Sequence, residues 1–264
     1  MTRYPALILA SVLTASSLQA QTTAEARESL QAGQYEDAAG AFRTILENDP
    51  SSYDVRRDLI RALLATGKYE ASELLAREAP APSSFANTLG EILVLRGRVE
   101  EAAKAFQESI DANARDALTA EANLAELLFS QGEIDEAMTR FDRFIDIYNT
   151  SDGRLSATEL VAVGRAVRYL GRTNPDLFQD ALRAFDEAAS IAPMWHEPRV
   201  RAGELFLEKY SSTDAQSEFE KVLAVNPRHP GALLGLAKAL EFDGTSDAGR
   251  VLGQLLEINS NHLE

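Results

Sequence analysis

Cysteine is absent from the 264 residues, and disulfides, thiolate metal sites, cysteine nucleophiles and acyl anchoring through sulfur are excluded with it. Histidine is scarce: His196, His229 and His262 are the full set. The His196-Glu197 pair has no second histidine one turn on, so no zinc or iron site is expected. Basic residues are in deficit, 26 against 41 acidic, for a formal net charge of −15. A duplex-binding protein presents a basic stripe, so nucleic acid is not an expected partner. Also missing are HExxH, G-x-S-x-G, the P-loop and the Rossmann glycine pattern. The many Glu-Ala and Asp-Ala pairs read as solvated acids near helix starts rather than as general acids, and the Asp186-Glu187 pair beside Ala188 reads as solvent-facing filler on the second helix of its repeat. No catalysis, metal or cofactor is expected.

The first twenty residues, "MTRYPALILASVLTASSLQA", are of another kind. Arg3 precedes an apolar run from Ala6 to Leu18, and a small residue stands at Ala20. This is the layout of a secretory signal peptide cleaved between Ala20 and Gln21. The run is too short to span a bilayer as a helix, and no later run approaches that length, so the expected location is periplasmic or secreted, with no membrane span in the mature chain.

The remainder repeats itself. In "DAAGAFRTILENDP" (37–50), "DALRAFDEAASIAP" (180–193) and "DAQSEFEKVLAVNP" (214–227), an alanine is followed by Phe four residues on and by Pro eight beyond that. These landmarks are Ala38, Phe42 and Pro50, then Ala181, Phe185 and Pro193, then Ala215, Phe219 and Pro227. Two further copies keep Ala102 with Phe106 and Ala137 with Phe141, and degenerate copies stand at Ser72 and Ala248. The alanine positions are therefore spaced by 34, 30, 35, 44, 34 and 33 residues. Upstream of most copies lies a helical segment with a small residue behind a large one and a glycine seven later, as in "LGEILVLRG" and "LAELLFSQG". The small residues there are Gly90, Ala125, Gly164, Gly203 and Ala237; in the sixth copy Tyr210 replaces the glycine.

These residues resemble the tetratricopeptide repeat, a helix-turn-helix unit of about 34 residues with an L-G, A-x3-F and P pattern. The resemblance covers residues 21–264 as about seven repeats: 21–52, 53–82, 83–115, 118–150, 157–194, 196–229 and 230–260. It implies an all-α, right-handed α-solenoid after the signal peptide. The family's aromatic landmark in the first helix is replaced by Leu63, Leu93, Leu128 and Leu240. Small residues on the first helix, opposite the alanines of the second, let the pair approach closely. Each Phe fills the gap toward the next repeat, and each Pro stops the second helix. A lone pair leaves an apolar face uncovered, so stacking builds a quasi-one-dimensional superhelix.

The concave groove is the family's usual binding surface. Arg57, Arg61, Asn87, Glu91, Leu95, Glu126, Phe129, Arg165, Arg168, Tyr169, Glu204, Leu207, Lys238 and Phe242 are expected to face it, and the row Arg61, Glu91, Glu126, Arg165, Glu204, Lys238 places one charge per repeat. Such a row can read a protein or extended peptide. Chaperone-binding members clamp a terminal carboxylate with Lys and Asn; Arg61 and Glu91 stand where Asn is needed, so that specificity is not carried over. Arg165, Arg168 and Tyr169 form the leading local candidate for an acidic or aromatic partner. They adjoin two five-residue insertions, in "NTSDGRLS" (149–156) and "RTNPDLFQD" (172–180), that account for the 44-residue spacing. The expected function is a non-catalytic interaction scaffold. The alternative is the repeat region of a longer exported enzyme, since the final third also resembles exported bacterial repeat proteins, some of which continue into a metallopeptidase-like domain. The last apolar helix, Val251 to Ile258, has no expected cover, which points to a longer chain or to self-association at that end.

Overall fold

The computed structural model describes residues 22–262; the signal-peptide reading lies outside them. The described residues form helices and turns with no strand. In chain order, α1 (residues 22–31) pairs with α2 (Tyr35–Asn48), α3 (Tyr53–Ala65) with α4 (Tyr69–Arg77), α5 (Ala86–Leu95) with α6 (Val99–Asp111), and α7 (Ala117–Ser130) with α8 (Ile134–Thr150). Then α9 (Ala157–Leu170) pairs with α10 (Leu177–Ile191), α11 (Glu197–Glu208) with α12 (Ser212–Leu223), and α13 (Pro230–Phe242) with α14 (Ala248–Ile258). No described helix is long and apolar enough to cross a membrane.

Local signals set the boundaries. Ser156 and Glu159 make a reciprocal capping box at the start of α9, satisfying two amides that the helix cannot pair itself. Pro50 and Pro193 stand two residues beyond the ends of α2 and α10. The degenerate second copy is a short α4 followed by a 3-10 turn at Pro82–Phe85 that inserts Phe85 into the core. Part of each insertion is helical: α8 runs on to Thr150, and α10 begins at Leu177. Tyr210 keeps the left-handed conformation of the glycine it replaces, with φ of 60°.

The core is a chain of small-against-large contacts. Phe42, Phe106, Phe141, Phe185 and Phe219 are fully buried, as are Ala38, Ala102, Ala137, Ala181 and Ala215. A Cβ on Gly90 would lie 2.4 Å from the Phe106 ring, one on Gly164 2.4 Å from Phe185, and one on Gly203 2.7 Å from Phe219. The glycines are therefore demanded by the phenylalanine of the same repeat. Gly235, outside the sequence pattern, plays the same part from the next repeat, with its Cβ position 2.2 Å from Phe219.

Consecutive first helices touch one another, α5 with α7, α7 with α9, α9 with α11 and α11 with α13, whereas consecutive second helices make at most marginal contact. The stack therefore curves with the odd-numbered helices on its inner, concave side.

His229 caps α13 by accepting from the Ala232 amide at 3.2 Å and lies edge-on to His196. Burial pushes its imidazole down to about 4, with Glu197 opposing and His196 reinforcing the shift. The unfolded imidazole takes its proton near pH 6.5, so between pH 6.5 and 4 the unfolded chain binds more protons and stability falls as pH falls. The full window is worth about 3 kcal/mol. Urea midpoints should drop between pH 7 and pH 5, and His229→Asn, which keeps a capping acceptor, should flatten that slope; an unaltered slope in the variant contradicts the assignment.

Candidate functional site

The row of charges on the first helices is largely engaged by partners from the same chain. On α7, Asn123 Nδ2 donates to Asn87 Oδ1 at 2.8 Å and to Glu91 Oε1 at 3.1 Å, both on α5. From α9, Arg165 Nη2 donates to Asn123 Oδ1 at 2.7 Å and to Glu126 Oε2 at 2.6 Å, and its Nε to Glu126 Oε1 at 3.0 Å. Arg168 reaches the next first helix, α11, donating to Glu204 at 3.1 Å and Glu208 at 2.6 Å. Arg201 closes the ladder through Glu197 and Glu204. Four consecutive first helices are thus laced across the concave face. Further toward the N-terminus, Arg27 of α1 pairs with Asp58 of α3 at 2.7 Å.

The electrostatics follow from this lacing. Burial pushes the Glu126 carboxyl up, but the charge and hydrogen bonds of Arg165 outweigh it and hold the group below its ordinary range. Glu204 behaves likewise under Arg201 and Arg168. Burial raises Glu91, and the amides of Asn123 and Asn87 and the charge of Arg165 offset it only in part. Aromatic rings extend the cluster: the Arg172 guanidinium lies 5.0 Å over Phe129 and 4.8 Å over Tyr169, and Tyr169 stacks on Phe141.

The expected groove residues therefore divide. Asn87, Glu91, Glu126, Phe129, Arg165, Arg168, Tyr169 and Glu204 are brought together, with Arg165 buried; the acidic and aromatic groups that meet this arginine cluster come from neighbouring repeats. Arg57 turns to the Ser84 carbonyl and the Phe85 ring. Arg61, 54% exposed, touches Asp58 at 3.5 Å, and Leu95, Lys238 and Phe242 are exposed, while Leu207 is half-buried. The row reading omits Asp58, Asn123 and Arg201, which stand three residues before row members and so share their face one turn back; polar residues recurring at that offset were the available signal. On the opposite side, the first insertion and Tyr148 line a cleft of about 690 Å³ with Arg183, Asp186 and Glu187. Asp186 is exposed there, and Glu187 accepts from the Tyr148 hydroxyl at 2.9 Å.

Residues 23–87 and 87–152 match the tetratricopeptide repeat family. A TPR repeat-containing protein of Methanocaldococcus jannaschii is 26% identical over 160 residues, which is 60% of this chain and 28% of that relative's length. Among solved structures, a thermophilic TPR protein of Thermus thermophilus superposes with a TM-score of 0.53 at 18% identity, covering 67% of this chain and 91% of that one. A tetratricopeptide repeat protein of Parabacteroides merdae does so with a TM-score of 0.50 at 12% identity, covering 91% and 93%. With the repeat recognised in its first half and the same paired-helix solenoid running through the rest, the chain belongs to the tetratricopeptide repeat family.

Proposed function

We propose that this protein is an exported, non-catalytic scaffold that holds a protein or extended peptide against its concave surface. The observation that carries the reading is the division of that surface. Its centre is spent on lacing repeats together, while Arg61, Leu95 and Phe242 toward its two ends leave a guanidinium and large apolar groups exposed. Exposed apolar and arginine side chains flanking a rigid polar centre suit a partner that lies along the row and is anchored at separate points. Export rests on the charge and apolar pattern of the first twenty residues.

Immobilised protein with Arg61, Leu95 and Phe242 all changed to Glu should lose the partner that the unaltered protein captures from an extract of the cells that make it. The same change to Glu at three exposed positions on the second helices, Arg43, Lys104 and Lys221, should keep it. Equal recovery by both variants removes the concave assignment. N-terminal sequencing of the native protein should begin at Gln21, and a chain retaining Met1 contradicts export.

A further inference from the structure

The two ends of the array meet. The turn between α1 and α2 lies against the loop between α12 and α13. There Asn226 Nδ2 donates to the Tyr35 hydroxyl at 2.9 Å, and Arg228 Nη1 donates to the Gly33 carbonyl at 3.0 Å. One repeat further along, the turn between α3 and α4 lies against the end of α14. Asn259 Nδ2 donates to the Tyr69 hydroxyl at 3.0 Å, and Asn261 Nδ2 donates to the Gly67 carbonyl at 3.0 Å. In both places the asparagine Oδ1 accepts the backbone amide two residues on. The same clasp is thus built twice in the register of the repeat, from Gly-x-Tyr on one edge and Asn-x on the other. Both asparagines are only 2% exposed.

Two observations say what kind of contact this is. The Gly33 and Gly67 positions tolerate no side chain, since a Cβ would stand 2.3 Å and 2.2 Å from the asparagine oxygens. The seam is also almost wholly polar: hydrogen bonds, the Arg228–Glu36 ion pair at 2.9 Å, and Arg228 over the Tyr35 ring. Each apolar cluster stays on one side of it. Parting the seam therefore exposes little apolar surface and leaves each repeat packed on its neighbours, and small rotations summed along a solenoid are enough to separate its ends.

We propose that the seam is a clasp that opens without unfolding the repeats, and that its opening admits a long partner to the concave face. The second half of the proposal rests on that face being the binding surface. In the closed form the superhelix completes a turn and its first two repeats are fastened to its last two, so a partner longer than the cavity must thread in from an end. In the open form it enters from the side.

The absence of cysteine makes the test clean. Dyes on cysteines placed at the exposed Arg43 and Glu220, on α2 and α12, report the separation across the seam. Gly33→Ala with Gly67→Ala is compared with Gly97→Ala with Gly132→Ala. All four glycines are left-handed, with φ of 79°, 70°, 70° and 89°, so both pairs strain their turns alike, but nothing lies within 4 Å of a Cβ at Gly97 or Gly132. The seam pair is expected to lower energy transfer at least twofold with helical circular dichroism unchanged, and the control pair to leave both unchanged. Equal transfer in the two pairs, or helix lost in step with transfer, overturns the clasp. If the seam pair opens but captures partner no faster than the control pair, side entry is overturned. Loss of capture in the Arg61, Leu95, Phe242 variant, or its persistence, bears separately on the concave assignment.

Discussion

Phe219→Ala is expected to lower the free energy of unfolding by about 3–5 kcal/mol, the range for truncating a fully buried aromatic side chain. Phe219 is fully buried and is gripped from both sides, by Gly203 of its own repeat and Gly235 of the next. Its removal therefore empties a junction of three helices, α11, α12 and α13, rather than one helix pair. The loss should appear as an earlier denaturant midpoint with little change in overall helix content below the transition. Adding Gly235→Ala to Phe219→Ala should cost less than the two single changes summed, because the new methyl enters the space the ring left. On the native background, Gly235→Ala alone should destabilise by about 1–3 kcal/mol through overpacking. Simple additivity would show that the ring and the glycine do not share that space.

Arg165→Leu is expected to cost about 3–5 kcal/mol, because it strands the Glu126 carboxylate, and with it the Asn123 acceptor, in a desolvated place. The double variant Arg165→Leu with Glu126→Leu should recover most of that loss, since replacing both members of a buried ion pair with apolar groups is often close to neutral. Urea denaturation of the two singles and the double closes the cycle. A single-variant cost below about 1 kcal/mol, the level of an exposed pair, would contradict the central role given to this pair. For the same reason, charge reversal at Arg165 or Arg168 cannot serve as a binding test: it damages the scaffold before it touches a partner.

The repeat architecture was legible because one-dimensional stacking imposes the same demand every 34 residues or so. Ala38, Phe42 and their later counterparts each solve one local packing problem, and the pattern survives in the letters. Gly235 escaped because its partner, Phe219, belongs to the preceding repeat, so no landmark within its own segment marks it. The concave ladder was half visible. The charged row could be read from register, but whether Glu126 faces Arg165 or a partner depends on how closely the first helices approach, which only the curvature decides. The seam was not legible at all: Tyr35 and Asn226 are 191 residues apart, and their meeting depends on superhelical rotation accumulated over five repeats. Yet Tyr35 and Tyr69, like Asn226 and Asn259, do recur at the repeat period. That recurrence could have marked them as edge residues, though not as partners.

The concave surface is tested most directly by site-specific photo-crosslinking. A benzophenone side chain placed at Leu95 or Phe242 is predicted to join covalently to the captured partner, while one at Lys104 on α6 is predicted to give no adduct. Adducts from Lys104 with none from Leu95 or Phe242 would place the partner on the convex side and contradict the concave reading.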